Sequence, residues 1–214
     1  ATVVQISLGG IVRITDSGLG CPDWPLCHGQ ILPTMDTATF IEFSHRLFAT
    51  IVGALVLIAT AIGWKFYRYD RRVTFGITVA LVIVLAAAVL GGITVKTELN
   101  RWFVMLHLVL AETLVLLLIV VTVFTKKSNI ESASFAVNNH AGTNALLISA
   151  LAGIFALILS GSYMVGLGYG TACETWPFCK GSAVPIGNAY LINMAHRYLS
   201  FIVSLLVFLS ATKV

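Results

Sequence analysis

One segment of this chain occurs twice. Cys21-Pro22-Asp23-Trp24-Pro25-Leu26-Cys27-His28-Gly29 returns as Cys173-Glu174-Thr175-Trp176-Pro177-Phe178-Cys179-Lys180-Gly181, displaced by 152 residues. Each copy precedes a His-Arg pair, His45-Arg46 and His196-Arg197, displaced by 151. Cysteine, tryptophan, proline and histidine recurring at a common spacing mark an internal duplication, which constrains a fold more tightly than any local propensity. Both halves must build the same unit: a cysteine-bounded loop leading into a segment that carries histidine.

The solvent for that unit follows from composition. Hydrophobic residues make up 58% of the chain, charged residues 10%, and the mean hydropathy is +0.94. Soluble domains carry about 25% charged residues. The formal charge of +4 is small and excludes nucleic acid as an expected partner. A helix needs about 20 apolar residues to cross a bilayer. Five stretches meet that length: Phe40–Trp64, Val73–Val95, Trp102–Phe124, Ala145–Val165 and Tyr190–Thr212. Their unbroken apolar character excludes the alternating pattern of a membrane barrel, so the expected fold is an all-α integral membrane protein. Ala1–Val12 is apolar but short. It reads as the end of a first helix, and residues are expected beyond both ends of the sequence.

Sidedness and cysteine placement agree. The connection with Lys65, Arg68, Arg71 and Arg72 is basic, as is the one with Lys126 and Lys127. Basic connections stay on the cytoplasmic or matrix side. Alternation then puts both cysteine loops on the outer side, which in bacteria is oxidising and preserves disulfides. Five residues separate the cysteines of each pair, Cys21 from Cys27 and Cys173 from Cys179. Spacing alone leaves three uses open: a structural disulfide shaping a lid, a redox-active pair exchanging with a thiol carrier, and a metal site with His28 as an extra ligand. Lys180 at the position of His28 weakens the last.

Ionisable residues inside a membrane are costly and mark function by default. His45, His107 and His196 all fall in the first turns of their helices on the outer side. Imidazoles at equal depth on neighbouring helices can ligate haem iron from its two faces; the bland alternative for each is a hydrogen bond to a neighbouring helix. Arg46 and Arg197 suit the pairing of guanidinium with haem propionates, or snorkelling to head groups. His28 and His140 read as solvated loop residues. His107 follows His45 by 62 residues, so the same spacing calls for a fourth histidine at about position 258, beyond Val214.

The halves also differ. Glu42 stands three residues before His45, where the second half has Asn193 before His196. Residues at i and i+3 share a helix face, so Glu42 faces the pocket of His45 as a general base or as a stabiliser of positive charge. Thr39-x-x-Glu42 also has the form of a capping box. Glu112 suits a proton relay or a bond to a neighbouring helix. Gly9-Gly10, Gly91-Gly92, Gly153 and Gly161 suit close helix contact or room for a flat porphyrin.

Gly9-Gly10-Ile11-Val12-Arg13-Ile14-Thr15-Asp16-Ser17-Gly18-Leu19-Gly20-Cys21-Pro22-Asp23-Trp24-Pro25, followed by Ile41-Glu42-Phe43-Ser44-His45-Arg46, resembles the haem A synthase family. His107, the second cysteine loop and His196-Arg197 extend that resemblance over essentially the whole chain. It implies eight helices in two similar four-helix bundles, of which about six are present, with residues 1–130 as the substrate half and 131–214 as an incomplete haem b half. It implies oxidation of a ring methyl of haem O to a formyl group, giving haem A for terminal oxidases. His45 and His107 would be axial ligands of haem O as substrate and His196 an axial ligand of haem b as cofactor. Arg46 and Arg197 would meet propionates. Glu42 would be catalytic, stabilising a carbocation at the oxidised methyl, and Cys21, Cys27, Cys173 and Cys179 would form disulfides. Membrane lipid, haem O synthase and terminal oxidase assembly factors are the partners implied, and a homo-oligomer is compatible. The location implied is a bacterial plasma membrane or a mitochondrial inner membrane. The rival readings are a di-haem b electron-transfer cytochrome and a non-catalytic accessory subunit of a respiratory complex, with a thiol-oxidising membrane protein more distant.

Overall fold

The structure is a computed structural model. It describes residues 1–130 and 141–212, with the side chains of 126–130 and 141–144 left aside. His140 lies outside the described residues. Six helices follow in order: α1 (Thr2–Ile14), α2 (Thr37–Phe66), α3 (Arg71–Lys96), α4 (Arg101–Ile130), α5 (Ala141–Gly166) and α6 (Asn188–Ala211). Five are long and apolar enough to cross a membrane, and α1 is a shorter apolar helix. The protein is an all-α integral membrane protein. It separates into two compact units, Ala1–Phe135 and Ala136–Val214.

In the first unit α3 packs between α2 and α4, and α1 lies against α2 and reaches α4, so the four helices close a bundle. The core is a stripe. Val52 and Val56 of α2, Val73, Ile77, Ala80 and Val84 of α3, and Leu114 and Val121 of α4 are buried together. The α3 members recur at the three- and four-residue steps that keep one helix face inward. The opposite face carries Phe75, Val82, Leu85 and Val89, all exposed. Apolar side chains on both faces are what a helix needs when its solvent is lipid.

Lipid tails are as apolar as a core, so helices associate by close fit rather than by hydrophobic exclusion. The fit is tightest at Gly76, where an added Cβ would lie 2.6 Å from Val121 Cγ2. Polar side chains between helices find partners: Thr60 Oγ1 donates to the Val56 carbonyl at 2.8 Å, and Trp64 Nε1 to Thr78 Oγ1 at 2.9 Å. In the second unit α5 packs on α6, with Val203 seated against Gly153.

Three helix starts have side-chain caps, and that of α4 is Asn100, whose Oδ1 accepts from the Trp102 backbone N–H at 3.1 Å. Asp36 accepts from the Thr39 backbone N–H at 2.7 Å to open α2, and Asp70 accepts from that of Arg72 at 3.0 Å to open α3. The capping-box reading of Thr39 and Glu42 is therefore corrected. Asp36 occupies the N-cap, because a carboxylate three residues earlier reaches the same orphan N–H first. Thr39 Oγ1 instead donates to the Gly20 carbonyl at 2.9 Å, and the Glu42 carboxylate accepts from Arg46.

The duplication persists in the backbone of the two loops. Cys21–Cys27 and Cys173–Cys179 are disulfides. Cys27 pairs with Gln30 and Cys179 with Ser182 in matching antiparallel bridges. His28-Gly29 and Lys180-Gly181 take the same left-handed turn, and the bonds before Pro25 and Pro177 are both cis. Sulfurs bonded to one another leave no thiolate for a metal, which removes the metal-site alternative for the cysteines.

Replacing Gly76 with leucine is expected to separate α3 from α4 and to destabilise the first unit by about 1–3 kcal/mol, the usual penalty of overpacking. Thermal unfolding in detergent, compared with Gly10→Leu, checks this: nothing lies within 4 Å of a Cβ at Gly10, so that change is expected to be near neutral.

Candidate functional site

Each of the three helical histidines lies about two turns inside its helix, and each is held the same way: one ring edge against a glycine of the preceding helix, Nδ1 bonded to that helix. A Cβ on Gly9 would stand 3.1 Å from His45 Cε1, on Gly91 3.3 Å from His107 Cε1, and on Gly161 3.0 Å from His196 Cε1. These glycines seat the histidine rings. Gly92 receives the Trp24 ring, 2.7 Å from where its Cβ would be. Gly9 and Gly161 are equivalent under the 152-residue displacement, so the seat is part of the duplicated unit.

The Nδ1 partners differ. His107 Nδ1 is 2.9 Å from the Ala87 carbonyl, which can only accept. The ring proton is therefore on Nδ1, and Nε2 keeps its lone pair. His196 Nδ1 is 2.8 Å from Ser160 Oγ. That hydroxyl also lies 2.8 Å from the Leu157 carbonyl, so its one proton can serve either that carbonyl or the imidazole. The Gln5 amide nitrogen is 3.0 Å from His45 Nδ1 and 3.4 Å from its Nε2, so it lies over the ring, and it donates to the His45 carbonyl at 3.1 Å. Hydrogen bonding at the second ring nitrogen is what orients a metal-ligating imidazole.

Above the histidines, each arginine is a staple for its disulfide loop. Arg46 Nη1 donates to the carbonyls of Asp23 (2.6 Å) and Leu26 (2.9 Å), and Nη2 to that of Cys21 (2.7 Å). Arg197 repeats this: Nη1 to Thr175 (2.6 Å) and Pro177 (3.2 Å), Nη2 to Cys173 (2.9 Å). Cys21 and Cys173, and Asp23 and Thr175, are equivalent under the duplication. Head-group snorkelling does not describe these side chains, since their forks turn into the loop. A rigid five-donor fork can gather several carbonyls at once, and lysine cannot.

Below the staple the halves diverge. Glu42 is buried, and Arg46 Nε donates to its Oε1 at 2.9 Å, forming an ion pair. Asn193 is also buried, but its amide donates to the carbonyls of Tyr169 (3.0 Å) and Gly170 (3.2 Å). The first unit thus neutralises its arginine with a carboxylate, and the second unit's Arg197 has only carbonyls among these contacts. Glu112 lies half-buried on α4.

The loops differ in the same paired fashion. Asp23 accepts from the backbone N–H groups of His28 (2.6 Å) and Gly29 (2.7 Å). Thr175 Oγ1 accepts from that of Lys180 at 3.2 Å. His28 is exposed, as expected of a loop residue, yet its Nε2 lies 2.9 Å from the Gly20 carbonyl and 3.4 Å from Thr39 Oγ1. At the equivalent place Lys180 Nζ donates to the Tyr190 hydroxyl at 2.7 Å. Trp24 lies against Gly92 of α3 and fastens the lid to the bundle. Gln5, Ser160, Asp23 and the Ala87 carbonyl were not among the expected site residues. The only sequence signal for Gln5 and Ser160 is a polar residue one turn or less before a paired glycine.

The family model described as cytochrome oxidase assembly protein, COX15-CtaA, matches residues 1–39 and 34–189. The heme A synthase of Exiguobacterium sp. strain AT1b is 32% identical over 206 residues, which cover 92% of this chain and 64% of that protein. The heme A synthase of Bacillus pumilus is 28% identical over 212 residues, covering 94% and 67%. That of Halalkalibacterium halodurans is 26% identical over 187 residues, covering 86% and 62%. The chain spans about two thirds of the length of the curated relatives it matches.

Backbone N–H bonds from Gly29, then His28, hold the Asp23 carboxyl below its usual value near 3.8, and the Arg46 charge adds to this. A depressed value in the folded loop stabilises the loop above the ordinary carboxylate range, and that contribution is lost as pH falls through it. Amide protection at His28 and Gly29 is therefore expected to fall on acidification below about pH 4 and to lose this pH dependence in Asp23→Asn. Hydrogen exchange followed against pH checks both.

Proposed function

The chain belongs to the COX15-CtaA family of cytochrome oxidase assembly proteins, and from that premise we propose that it is a haem A synthase. In this reading it is an oxidoreductase of the membrane that converts a ring methyl of haem O to a formyl group. The observation that carries it is the asymmetry of two otherwise matching units: only the first sets a buried carboxylate, Glu42, three residues before its histidine.

The residues present fit haem. Three imidazoles are seated on glycines, and His107 gives its Nδ1 proton to the Ala87 carbonyl, which leaves the Nε2 lone pair that iron ligation requires. His45 and His107 would hold haem O as substrate, and His196 would be one axial ligand of haem b. Haem b, when bound, supplies one-electron transfer. Arg46 spends four of its five donors on Glu42 and three loop carbonyls. Its contribution to a propionate would be the one remaining N–H, whereas Arg197 has no carboxylate paired with it among the described residues.

Glu42 is the group that does chemistry in this reading. Its ion pair with Arg46 fixes the position of the carboxyl inside the helix bundle. Oxidation of a methyl develops positive charge at that carbon and releases protons. A fixed carboxylate stabilises the first and accepts the second. The disulfide loop is held by Arg46 and by Trp24 on Gly92, and in this reading it would keep water from the bound substrate. The cysteine loops lie on the outer side in this reading, with the basic connection of Lys65, Arg68, Arg71 and Arg72 on the other.

His45→Ala or His107→Ala is expected to abolish haem A formation while haem b stays bound. His196→Ala is expected to remove haem b. Glu42→Gln is expected to lower turnover by about 10²-fold or more with haem O still bound. Haem analysis of membranes supplied with haem O reads all four. Unchanged turnover in Glu42→Gln would move the assignment to an electron-transfer cytochrome.

A further inference from the structure

Two side chains that grip one iron from opposite faces must keep their separation to within about 0.5 Å. His45 and His107 belong to α2 and α4, and these two helices are not packed on one another. Their spacing is set by what lies between them: α1, α3 and the first disulfide loop. The loop is tied beside both histidines. On one side Arg46, the residue after His45, holds the carbonyls of Cys21, Asp23 and Leu26. On the other side Trp24, which stands in sequence between two of those carbonyls, lies on Gly92, its Cδ2 2.7 Å and its Cε2 3.1 Å from where a Cβ would be. Gly92 follows Gly91, the residue on which the His107 ring is seated. The same stretch of α3 offers the Ala87 carbonyl to His107 Nδ1 at 2.9 Å, and Thr94 Oγ1 braces it by donating to the Gly91 carbonyl at 2.6 Å.

We propose that Trp24 is a positioning residue: through Gly92 it holds the seat of His107 at the distance from His45 that the Arg46 staple sets, so the disulfide loop fixes the gap between the two imidazoles. This rests on reading the first unit as the site of the substrate haem. The buried stripe that joins α2, α3 and α4 cannot do this alone. Its nearest members, Val52, Val84 and Leu114, stand seven residues from His45, Gly91 and His107, about 10 Å along each helix. Lipid gives helices no hydrophobic push together, so spacing at the bundle end needs a close-fitted contact. Two glycines in a row bare the α3 backbone there, and a large ring from the loop presses on it. A second contact ties the loop elsewhere: Leu99, in the connection after α3, lies on Gly18, its Cδ1 3.0 Å from where a Cβ would be. That contact holds the loop without touching the seat of His107.

The test uses the full chain in detergent, carrying His196→Ala to remove the second unit's ligand and loaded with iron protoporphyrin IX. Trp24→Ala and Gly92→Ala break the contact from its two sides, the second by adding a Cβ 2.7 Å from the ring. Both are expected to lower the six-coordinate low-spin fraction and to speed haem loss by about tenfold. Trp24→Phe is expected to keep most of the low-spin form. Leu99→Ala loosens the same loop at Gly18 and is expected to change neither reading. In a His107→Ala background Trp24→Ala is expected to add nothing, because the residue it acts through is gone. An unchanged spin state and rate in Trp24→Ala or in Gly92→Ala overturns the proposal, and either variant decides if the other does not fold. Equal losses in Leu99→Ala overturn it as well, since any loosening of the loop would then do the same. So does a further effect of Trp24→Ala in the His107→Ala background. Haem binding that survives His107→Ala unchanged would overturn the reading of the site itself, so the two failures are distinguishable.

Discussion

An imidazole in an apolar helix presents two polar nitrogens that lipid cannot satisfy, and the helix beside it must supply a partner. In both units that requirement decides the local design. The neighbouring helix approaches at a glycine, close enough for the ring to lie against its backbone, and it offers one hydrogen-bonding group to Nδ1. Helix spacing and ring orientation both follow from one contact, and a larger residue at Gly9, Gly91 or Gly161 would disturb both.

The outer loops are tied to the same helices by their arginines. A guanidinium that gathers three backbone carbonyls fixes a short disulfide loop over the bundle end. Each such bond to a charged group is worth about 1.5–3 kcal/mol when shielded from water. Because the arginine follows the histidine directly, lid and pocket share one helix turn. What separates the units is the residue one turn before the arginine. Glu42 turns the staple into a neutral pair with a carboxylate at the pocket, while Asn193 spends its amide on the loop carbonyls at Tyr169 and Gly170. In the proposed reading this one side-chain difference separates the unit that does chemistry from the one that holds a cofactor.

Much of this was legible in the sequence because it repeats or because it is apolar. The duplicated cysteine-tryptophan segment, the five spanning helices and the His-Arg pairs are local patterns. The membrane, which forces backbone groups to pair within each helix, makes such patterns reliable. Long-range geometry was not legible. Nothing in Arg46 or Arg197 says that the side chain reaches back more than twenty residues to loop carbonyls. The capping box at Thr39 and Glu42 matched in spacing and yielded in space to Asp36, a better-placed acceptor. Gln5 and Ser160 are single polar residues in apolar runs, and their meaning appears only when a histidine from another helix is set beside them.

The central claim is that the first unit holds haem as a substrate. The most direct measurement is extraction of the haem bound to the purified protein, separated by chromatography and identified by mass, with His107→Ala as the comparison. The account predicts that haem O or haem A is recovered from the wild type and is lost in His107→Ala. Protohaem as the sole haem, or haem O recovered equally from both, would contradict it.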